Sequence, residues 1–178
     1  MTTADPSRRL VLLRHAKSAW PDLPDLDRPL AGRGRRDAPA AGRWLRDTGN
    51  VPDLVWCSPA VRARQTWELA AAQLGAQPPV EYEDRLYQAS GRLLAGLIAA
   101  APATARSLLL VGHNPGVQQA ALSLAADPGG GPAHGYQRAA AKFPTAAIAV
   151  LELPAGWAAL APGTARLAAF VVPRDLHG

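Results

Sequence analysis

The strongest indication of the fold is the segment Leu10-Val11-Leu12-Leu13-Arg14-His15-Ala16-Lys17-Ser18. Its first four residues are an apolar run, with the length and composition of a strand that is buried on both faces. The run ends at an arginine and a histidine, so the strand would place a charged, titratable pair at the rim of a sheet. In open α/β sheets, ligands bind outside the carboxyl ends of the strands. The stretch therefore predicts a ligand site at Arg14 and His15; a surface Arg-His pair is the alternative for the dipeptide alone.

Two further apolar runs end in residues that suit a turn into a helix. Residues 54–57 lead into Ser58-Pro59, and residues 108–111 lead into Gly112-His113-Asn114-Pro115. Serine and asparagine are favoured as helix N-caps, and proline is favoured at the first helical position. Ser58 and Asn114 are therefore predicted to cap helices that begin at the prolines after them.

The ends of these three strands predict an anion site. If the strands are parallel, their carboxyl ends lie at one edge of the sheet. That edge would hold His15, His113 and Arg14, together with Arg62, which lies one turn into the helix after Ser58. Helix N-termini at the same edge favour anions. Taken singly, a histidine such as His113 is more often a structural turn residue and an arginine such as Arg62 more often a solvated helix residue; their combination favours the site.

The remaining pattern alternates between strands and helices. It predicts helices at 35–47, 59–74, 92–100 and 115–126, and strands at 80–82, 146–153 and 167–172. Residues 19–34 are predicted to form a loop over the end of the first strand, and residues 127–142 a linker or partial lid. The chain is predicted to be a single α/β domain over residues 1–178, a three-layer αβα sandwich with a mainly parallel sheet and an antiparallel edge hairpin.

Composition is typical of a globular protein. The chain has 178 residues, of which 48% are hydrophobic and 19% charged. The single cysteine, Cys57, excludes an internal disulfide and fits a reducing compartment. The first nine residues are polar, and no apolar segment reaches the length of a membrane span. We expect a soluble, cytoplasmic protein without a membrane partner.

The net charge of +5 lies in one part of the chain. Residues 1–64 carry twelve Lys/Arg against seven Asp/Glu, whereas residues 65–178 carry seven of each. The excess surrounds Arg14 and His15, which favours an anionic ligand there. Nucleic acid is the competing interpretation. We expect none to bind, because aspartates interrupt the basic residues and basic and aromatic residues do not alternate.

Three segments of the chain resemble, in order, the signature segments of the histidine phosphatase superfamily. They are Arg14-His15-Ala16, Ser58-Pro59-Ala60-Val61-Arg62-Ala63-Arg64-Gln65-Thr66 and Val111-Gly112-His113-Asn114-Pro115. That superfamily includes the cofactor-dependent phosphoglycerate mutases. The short chain, the Arg-His-Ala-Lys-Ser opening and the segment Phe143-Pro144-Thr145-Ala146-Ala147 are most similar to SixA-type phosphohistidine phosphatases. The resemblance covers nearly the whole chain.

The resemblance implies a phosphatase that acts through a phosphohistidine intermediate. His15 would be the nucleophile, Arg14 and Arg62 would clamp the phosphoryl oxygens, and His113, if protonated, would be a third donor. Lys17 and Ser18 would line the pocket. No metal and no cofactor are implied, and the four histidines and one cysteine show no metal-ligand spacing. The substrate would be phosphohistidine on a protein or a small phosphorylated molecule.

The sequence departs from the family pattern at two positions. Ala16 stands where most members have glycine. Gln88 stands where many members have a glutamate that acts as general acid, and glutamine cannot donate a proton as an acid. Glu81, Glu83 and Asp84 are nearby carboxylates that could take its place.

Three alternatives stay open at this stage. One is a phosphatase, or a mutase, of the same superfamily that acts on small phosphate esters; the compact chain disfavours the mutase. Another is a non-catalytic module that binds phosphate or a phosphoprotein, which would have no need of a nucleophile such as His15. The last is a cysteine phosphatase built on Cys57, but neither Arg62 nor Arg64 has the spacing from Cys57 that this chemistry requires.

Overall fold

The computed structural model describes residues 7–126 and 134–178. Within them, six strands form one sheet in the order β3-β2-β4-β1-β5-β6. The strands are β1 (Arg8–Arg14), β2 (Leu54–Cys57), β3 (Val80–Tyr82), β4 (Ser107–Gly112), β5 (Ile148–Leu153) and β6 (Arg166–Val171). The helices are α1 (Gly32–Asp47), α2 (Val61–Ala71), α3 (Gly91–Ala99), α4 (Gly116–Leu124), α5 (His134–Ala141) and α6 (Pro173–Leu176).

The sheet is parallel where the predicted site lies. Strand β4 pairs in parallel with both β1 and β2, and Arg14 lies opposite Gly112 in the register. Strand β5 alone runs the other way, antiparallel to β1 on one side and to β6 on the other. The predicted fold, a mainly parallel sheet with an antiparallel hairpin at one edge, is confirmed.

The helices cover both faces of the sheet because the central strands are apolar on both sides. Leu10, Leu12, Leu108 and Leu110 face a core closed by α3 and α4. The alternate side chains, such as Val11 and Leu109, face a core closed by α1 and α2. The sheet is therefore the middle of three layers, with a layer of helices and a core on each of its faces. No helix in the described part of the chain has both the length and the apolar character of a membrane span.

Several predicted boundaries are wrong. Helix α1 begins at Gly32 rather than at 35, since its N-terminal turn packs against the backbone that follows β1: a Cβ added to Gly34 would lie 2.2 Å from the carbonyl oxygen of Lys17. Helix α4 begins one residue later than predicted, at Gly116. In the segment predicted as a linker, residues 134–141 are helical, and Ala139 is buried in the core; residues 127–133 lie outside the described part.

Ser58 is not the N-cap of α2. The helix begins at Val61 after an extended Ala60. The Ser58 hydroxyl lies 2.6 Å from Nε2 of His113, a residue 55 positions away in the chain. Ser58, which the local pattern predicts as a helix cap, therefore contacts the end of another strand instead.

Candidate active site

The carboxyl ends of β1, β2 and β4 surround a cavity of about 340 Å³. All six residues predicted for the site line it, namely Arg14, His15, Lys17, Ser18, Arg62 and His113. The cavity is also lined by seven residues from loops and turns: Trp20, Asp25, Arg28, Tyr87, Gln88, Asn114 and Thr145. The parallel register brings together side chains that are far apart in the sequence.

His15 is held so that one ring nitrogen stays available. Only 7% of the residue is exposed, and its Nδ1 lies 2.8 Å from the carbonyl oxygen of Ala16. A carbonyl oxygen can only accept, so Nδ1 carries the proton and donates it. The other nitrogen, Nε2, therefore keeps its lone pair. The amide of Ala16 donates to Thr66 Oγ1, which ties this turn to α2.

Burial keeps the His15 ring neutral. The pKa of His15 is lowered to about 3, mainly by burial and also by the nearby His113, Arg62 and Arg14, while the hydrogen bond to Ala16 acts in the opposite direction. A neutral imidazole with a free nitrogen is the form that can attack phosphorus. The environment thus favours the reactive form at every pH in the physiological range.

Two arginines approach the same cavity with unused donors. Arg14 donates from Nη1 to the carbonyl oxygen of Phe143, and Arg62 donates to Asp25. The Nε atoms of Arg14 and Arg62 are buried and have no partner among the described residues. Buried donors of this kind are costly to leave unsatisfied. Both arginines also line the cavity, where their guanidinium forks suit an oxyanion bound between them.

Asp25 is the main site residue that the sequence did not predict. Its backbone oxygen accepts from Arg62 Nη1 at 2.6 Å and its carboxylate from Arg62 Nη2 at 3.1 Å. The same carboxylate accepts from Tyr87 Oη at 2.5 Å and from Arg28 Nε at 3.0 Å. The hydrogen bond from Tyr87, followed by those from the arginines, lowers the pKa of Asp25 to about 2, so it is ionised. Asp25 thus holds the end of the Arg62 guanidinium that points away from Nε.

The His113 ring contacts the His15 ring in the cavity wall, with 5.0 Å between the ring centroids and 53° between the ring planes. Burial and the charge of Arg62 lower the pKa of His113 to about 4. The ring is therefore neutral in the unliganded site, and the expected protonated donor is not its resting form. A bound dianion would favour the protonated ring, because an opposite charge raises the pKa of a histidine.

Ser18 and Lys17 have different roles in the wall of the cavity. The Ser18 hydroxyl accepts a hydrogen bond from Arg28 Nη1 at 2.8 Å, so it holds that arginine in place. Arg28 also stacks under the exposed ring of Trp20, 3.7 Å from its centroid. Lys17 is exposed at the rim. No local pattern in the sequence indicates Trp20. The one local indication for Arg28 is Asp25, three residues before it, which forms a salt bridge with it.

Gln88 lies in the cavity wall, whereas the three nearby carboxylates do not. Its backbone has a φ of 57°, an uncommon conformation for a residue other than glycine. Glu81 accepts a hydrogen bond from Trp56, and Glu83 pairs with Arg85. Asp25 is the one carboxylate among the described residues that line the cavity, and it is ionised.

Cys57 cannot be the nucleophile of a cysteine phosphatase in this environment. The thiol is buried, and burial raises its pKa far above the neutral range. Its Sγ donates a hydrogen bond to the carbonyl oxygen of Ser58, at 3.4 Å. Within residues 7–126 and 134–178, no group of three or more His, Cys, Asp or Glu side chains is placed to hold a metal ion.

The lowered pKa values of both histidines predict a loss of stability in acid. The unfolded rings bind protons near pH 6.5, whereas the native rings stay neutral down to about pH 4 and about pH 3. Their contribution is complete above pH 6.5 and is lost as the pH falls. Between pH 7 and pH 5, protonation of each ring in the unfolded state should lower the free energy of unfolding by about 2 kcal/mol.

Urea unfolding at the two pH values measures this effect, and ring resonances of His15 and His113 report the titration directly. We expect both resonances to stay constant between pH 8 and pH 5. In the double variant His15→Asn/His113→Asn, the change in unfolding free energy between the two pH values should shrink by about 4 kcal/mol, the sum for the two rings. A titration midpoint near pH 6.5 for either ring would show that the ring is not shielded from water in the folded protein.

The chain is similar to proteins of one family. Residues 10–127 match the profile of the histidine phosphatase superfamily (branch 1). An uncharacterized protein of Mycobacterium tuberculosis is 44% identical over 91% of this chain and 100% of its own length.

Two solved structures, both described as candidate phosphohistidine phosphatases of the SixA type, have the same fold. The protein from Nakamurella multipartitia has a TM-score of 0.82 at 35% identity, over 96% of this chain and 98% of its own. The protein from Agrobacterium tumefaciens has a TM-score of 0.77 at 31% identity, over 94% of this chain and 99% of its own.

Proposed function

This chain belongs to the histidine phosphatase superfamily, and on that premise we propose that it is a metal-independent phosphatase that removes the phosphoryl group from phosphohistidine on a protein. The observation that carries the proposal is the His15 ring. It is buried, neutral and hydrogen-bonded at Nδ1, so that Nε2 stays free beside two arginines with unused donors. The similarity to these two candidate SixA-type phosphatases supports the choice of substrate.

The first step transfers the phosphoryl group to His15. Nε2 attacks phosphorus in line, a P–N bond forms to His15, and the P–N bond to the substrate imidazole breaks. The imidazole leaves with the bonding electron pair and takes a proton from water. Arg14 and Arg62 bind the phosphoryl oxygens, because their planar forks match an oxyanion and stay charged. His113 becomes a further donor when the phosphoryl charge raises its pKa.

The second step regenerates the enzyme. Water attacks phosphorus and gives up a proton to solvent, the P–N bond breaks with its electron pair returning to Nε2 of His15, and inorganic phosphate leaves. The same donors contact the phosphoryl oxygens in both steps, so they stabilise the charge in both transition states. Loss of one such donor typically costs about 3–4 kcal/mol of transition-state stabilisation.

We expect Asp25→Ala to lower kcat roughly tenfold to a hundredfold, because Arg62 loses the anchor that sets its orientation. The same change removes a negative charge from the cavity, so inorganic phosphate should inhibit the variant more strongly than the natural enzyme. Steady-state kinetics with a phosphate inhibition series measures both effects. Asp25→Asn keeps an acceptor for Arg62 and should lie between the two enzymes. An unchanged kcat in Asp25→Ala would show that Arg62 needs no such anchor.

Gln88 supports phosphohistidine rather than an alkyl phosphate ester as the substrate. An alkoxide leaves poorly unless an acid protonates it, and a general acid is typically worth about 10²–10⁴ in rate. Imidazole is a far better leaving group, and its ring takes a proton from solvent near neutral pH. A cavity with Gln88 and an ionised Asp25 therefore has, among its described residues, no protonated carboxyl group to give an alkoxide its proton.

The variant Gln88→Glu tests this assignment. We expect kcat/KM for alkyl esters to rise by about tenfold or more, with little change for phosphohistidine, because the new carboxyl can protonate an alkoxide. In the natural enzyme, phosphohistidine should be the best substrate, aryl esters the next and alkyl esters the poorest. Gln73→Glu, outside the cavity, is the matched control.

The opposite order would favour a phosphatase of small esters. If alkyl esters already lead in the natural enzyme, and alanine at Glu81, Glu83 or Asp84 removes that activity, phosphohistidine is not the substrate. If this protein binds these compounds but hydrolyses none of them, it is the non-catalytic binding module.

A further inference from the structure

A second cavity, of about 380 Å³, lies beside the catalytic one. It is formed by the start of α1, the end of α5, strand β6 and helix α6. We call it the basic groove and define it by four cationic and two apolar residues: Arg33, Arg138, Lys142, Arg174, Pro144 and Phe170. Nothing in the proposed phosphoryl transfer uses these residues.

One segment separates the basic groove from the catalytic cavity. Residues 143–146 run between them, with Pro144 in the wall of the groove and Thr145 in the wall of the cavity. The carbonyl oxygen of Phe143 accepts from Arg14, and the amide of Ala146 donates to the carbonyl oxygens of Arg14 and His15. A bound peptide that extends out of the catalytic cavity over Thr145 would therefore enter the basic groove directly.

The groove carries more positive charge than its own acids neutralise. Arg138 pairs with Asp175 at 2.7 Å, and Arg33, which is largely exposed, lies 3.5 Å from Asp37. The side chains of Lys142 and Arg174 form no hydrogen bond or salt bridge with residues 7–126 or 134–178.

The placement of Arg33 works against helix stability. It stands in the first turn of α1, which contains no acidic residue, and the helix dipole disfavours a cation there. The pair with Asp37 offsets part of this cost, and the charge of Arg33 also lies in the wall of the groove.

The floor of the groove suits a peptide better than a nucleic acid. Phe170 is buried under Arg138, whose guanidinium lies 5.7 Å from the ring centroid, and Pro144 and Pro173 continue the apolar floor. The described lining has no exposed aromatic ring on which a base could stack. Cations around an apolar floor match carboxylates next to an apolar side chain.

We propose that the basic groove binds an acidic segment next to the phosphohistidine of the protein substrate. This inference rests on the proposed function and adds a chemical class to the substrate: a phosphoprotein whose phosphorylated histidine is flanked by aspartates or glutamates. Charge complementarity would favour encounter with that protein and weaken binding of neutral ones.

Two phosphohistidine peptides test the groove, one with Asp and Glu around the phosphohistidine and one with Asn and Gln at the same positions. In the natural enzyme, kcat/KM should be about tenfold higher for the acidic peptide, mainly through KM, and the preference should shrink in 0.5 M salt. The double charge reversal Lys142→Glu/Arg174→Glu should remove the preference. The free amino acid phosphohistidine should be hydrolysed equally by both enzymes.

The matched control is Arg43→Glu/Arg92→Glu, which makes the same charge change at exposed positions outside both cavities. It should keep the preference for the acidic peptide. If the natural enzyme shows no preference, or if the control loses as much as the groove variant, the groove is not the binding site and the proposal is wrong.

A binding measurement separates failure of the groove from failure of the proposed function. If neither peptide is hydrolysed, the proposed function fails, and the groove is then tested with an unphosphorylated, fluorescein-labelled acidic peptide. Fluorescence anisotropy should show binding that the groove variant loses and the control keeps. Absence of binding, or equal competition by a single-stranded oligonucleotide, would overturn the assignment to an acidic protein segment.

Discussion

Replacement of His15 by alanine should abolish turnover, with a loss on the order of a thousandfold or more on every substrate class. The reason is that neither of the other two candidate nucleophiles, His113 and Cys57, is free to take its place. His113 has its Nε2 against Ser58, and Cys57 is a buried thiol with a raised pKa. The assay is run with a chelator present throughout, so that the same experiment tests the absence of a metal requirement.

The phosphoenzyme provides the second measurement. The natural enzyme, quenched during turnover of a radiolabelled substrate, should carry an acid-labile, alkali-stable phosphoryl group, and His15→Ala should carry none. His177→Ala changes a half-exposed histidine outside the cavity and should leave both measurements unchanged. More than a few per cent of normal activity in a folded His15→Ala enzyme would rule out His15 as the covalent nucleophile.

Replacement of Arg62 by lysine should lower kcat/KM on the order of a hundredfold. Arg62 is 5% exposed and binds two oxygens of Asp25 while its Nε stays unpartnered among the described residues. Lysine keeps the charge, but its single nitrogen cannot serve Asp25 and a phosphoryl group with the same fork geometry. The effect should appear in kcat, because the fork binds the transition state better than the ground state.

Arg64→Lys is the matched control for Arg62→Lys. Arg64 lies on the same helix, is exposed, and stacks against Tyr82 at 4.8 Å rather than facing the cavity. We expect its kcat/KM to stay within about twofold of the natural enzyme, since surface substitutions have small effects. A kinetically silent Arg62→Ala would mean that the three strand ends do not act on one phosphoryl group.

The central part of the site follows from local patterns. An apolar run of four residues that stops at Arg14 predicts both a buried strand and the position of its end. The same reasoning applies to Cys57 and Gly112, where β2 and β4 end. Because parallel strands end at one edge, the sequence predicts that Arg14, His15, Arg62 and His113 come together, and one cavity contains all four.

The surrounding residues were not predictable in the same way. Asp25, Arg28 and Tyr87 stand in loops and turns, which carry no hydrophobic period. Asp25 reaches Arg62 across 37 positions in the chain, and Tyr87 reaches Asp25 across 62. Such contacts depend on how the loops pack over the sheet edge.

The strands, their parallel ends and the chemical groups placed there thus follow from the amino-acid order, because alternation of apolar runs and turn residues is a local property. The ionisation of those groups follows from packing in the folded protein. His15 and His113 are neutral because packing removes water from both rings, and Asp25 is ionised because Tyr87, Arg28 and Arg62 converge on it. Desolvation and long-range pairing depend on the folded environment, and no short pattern of residues encodes them.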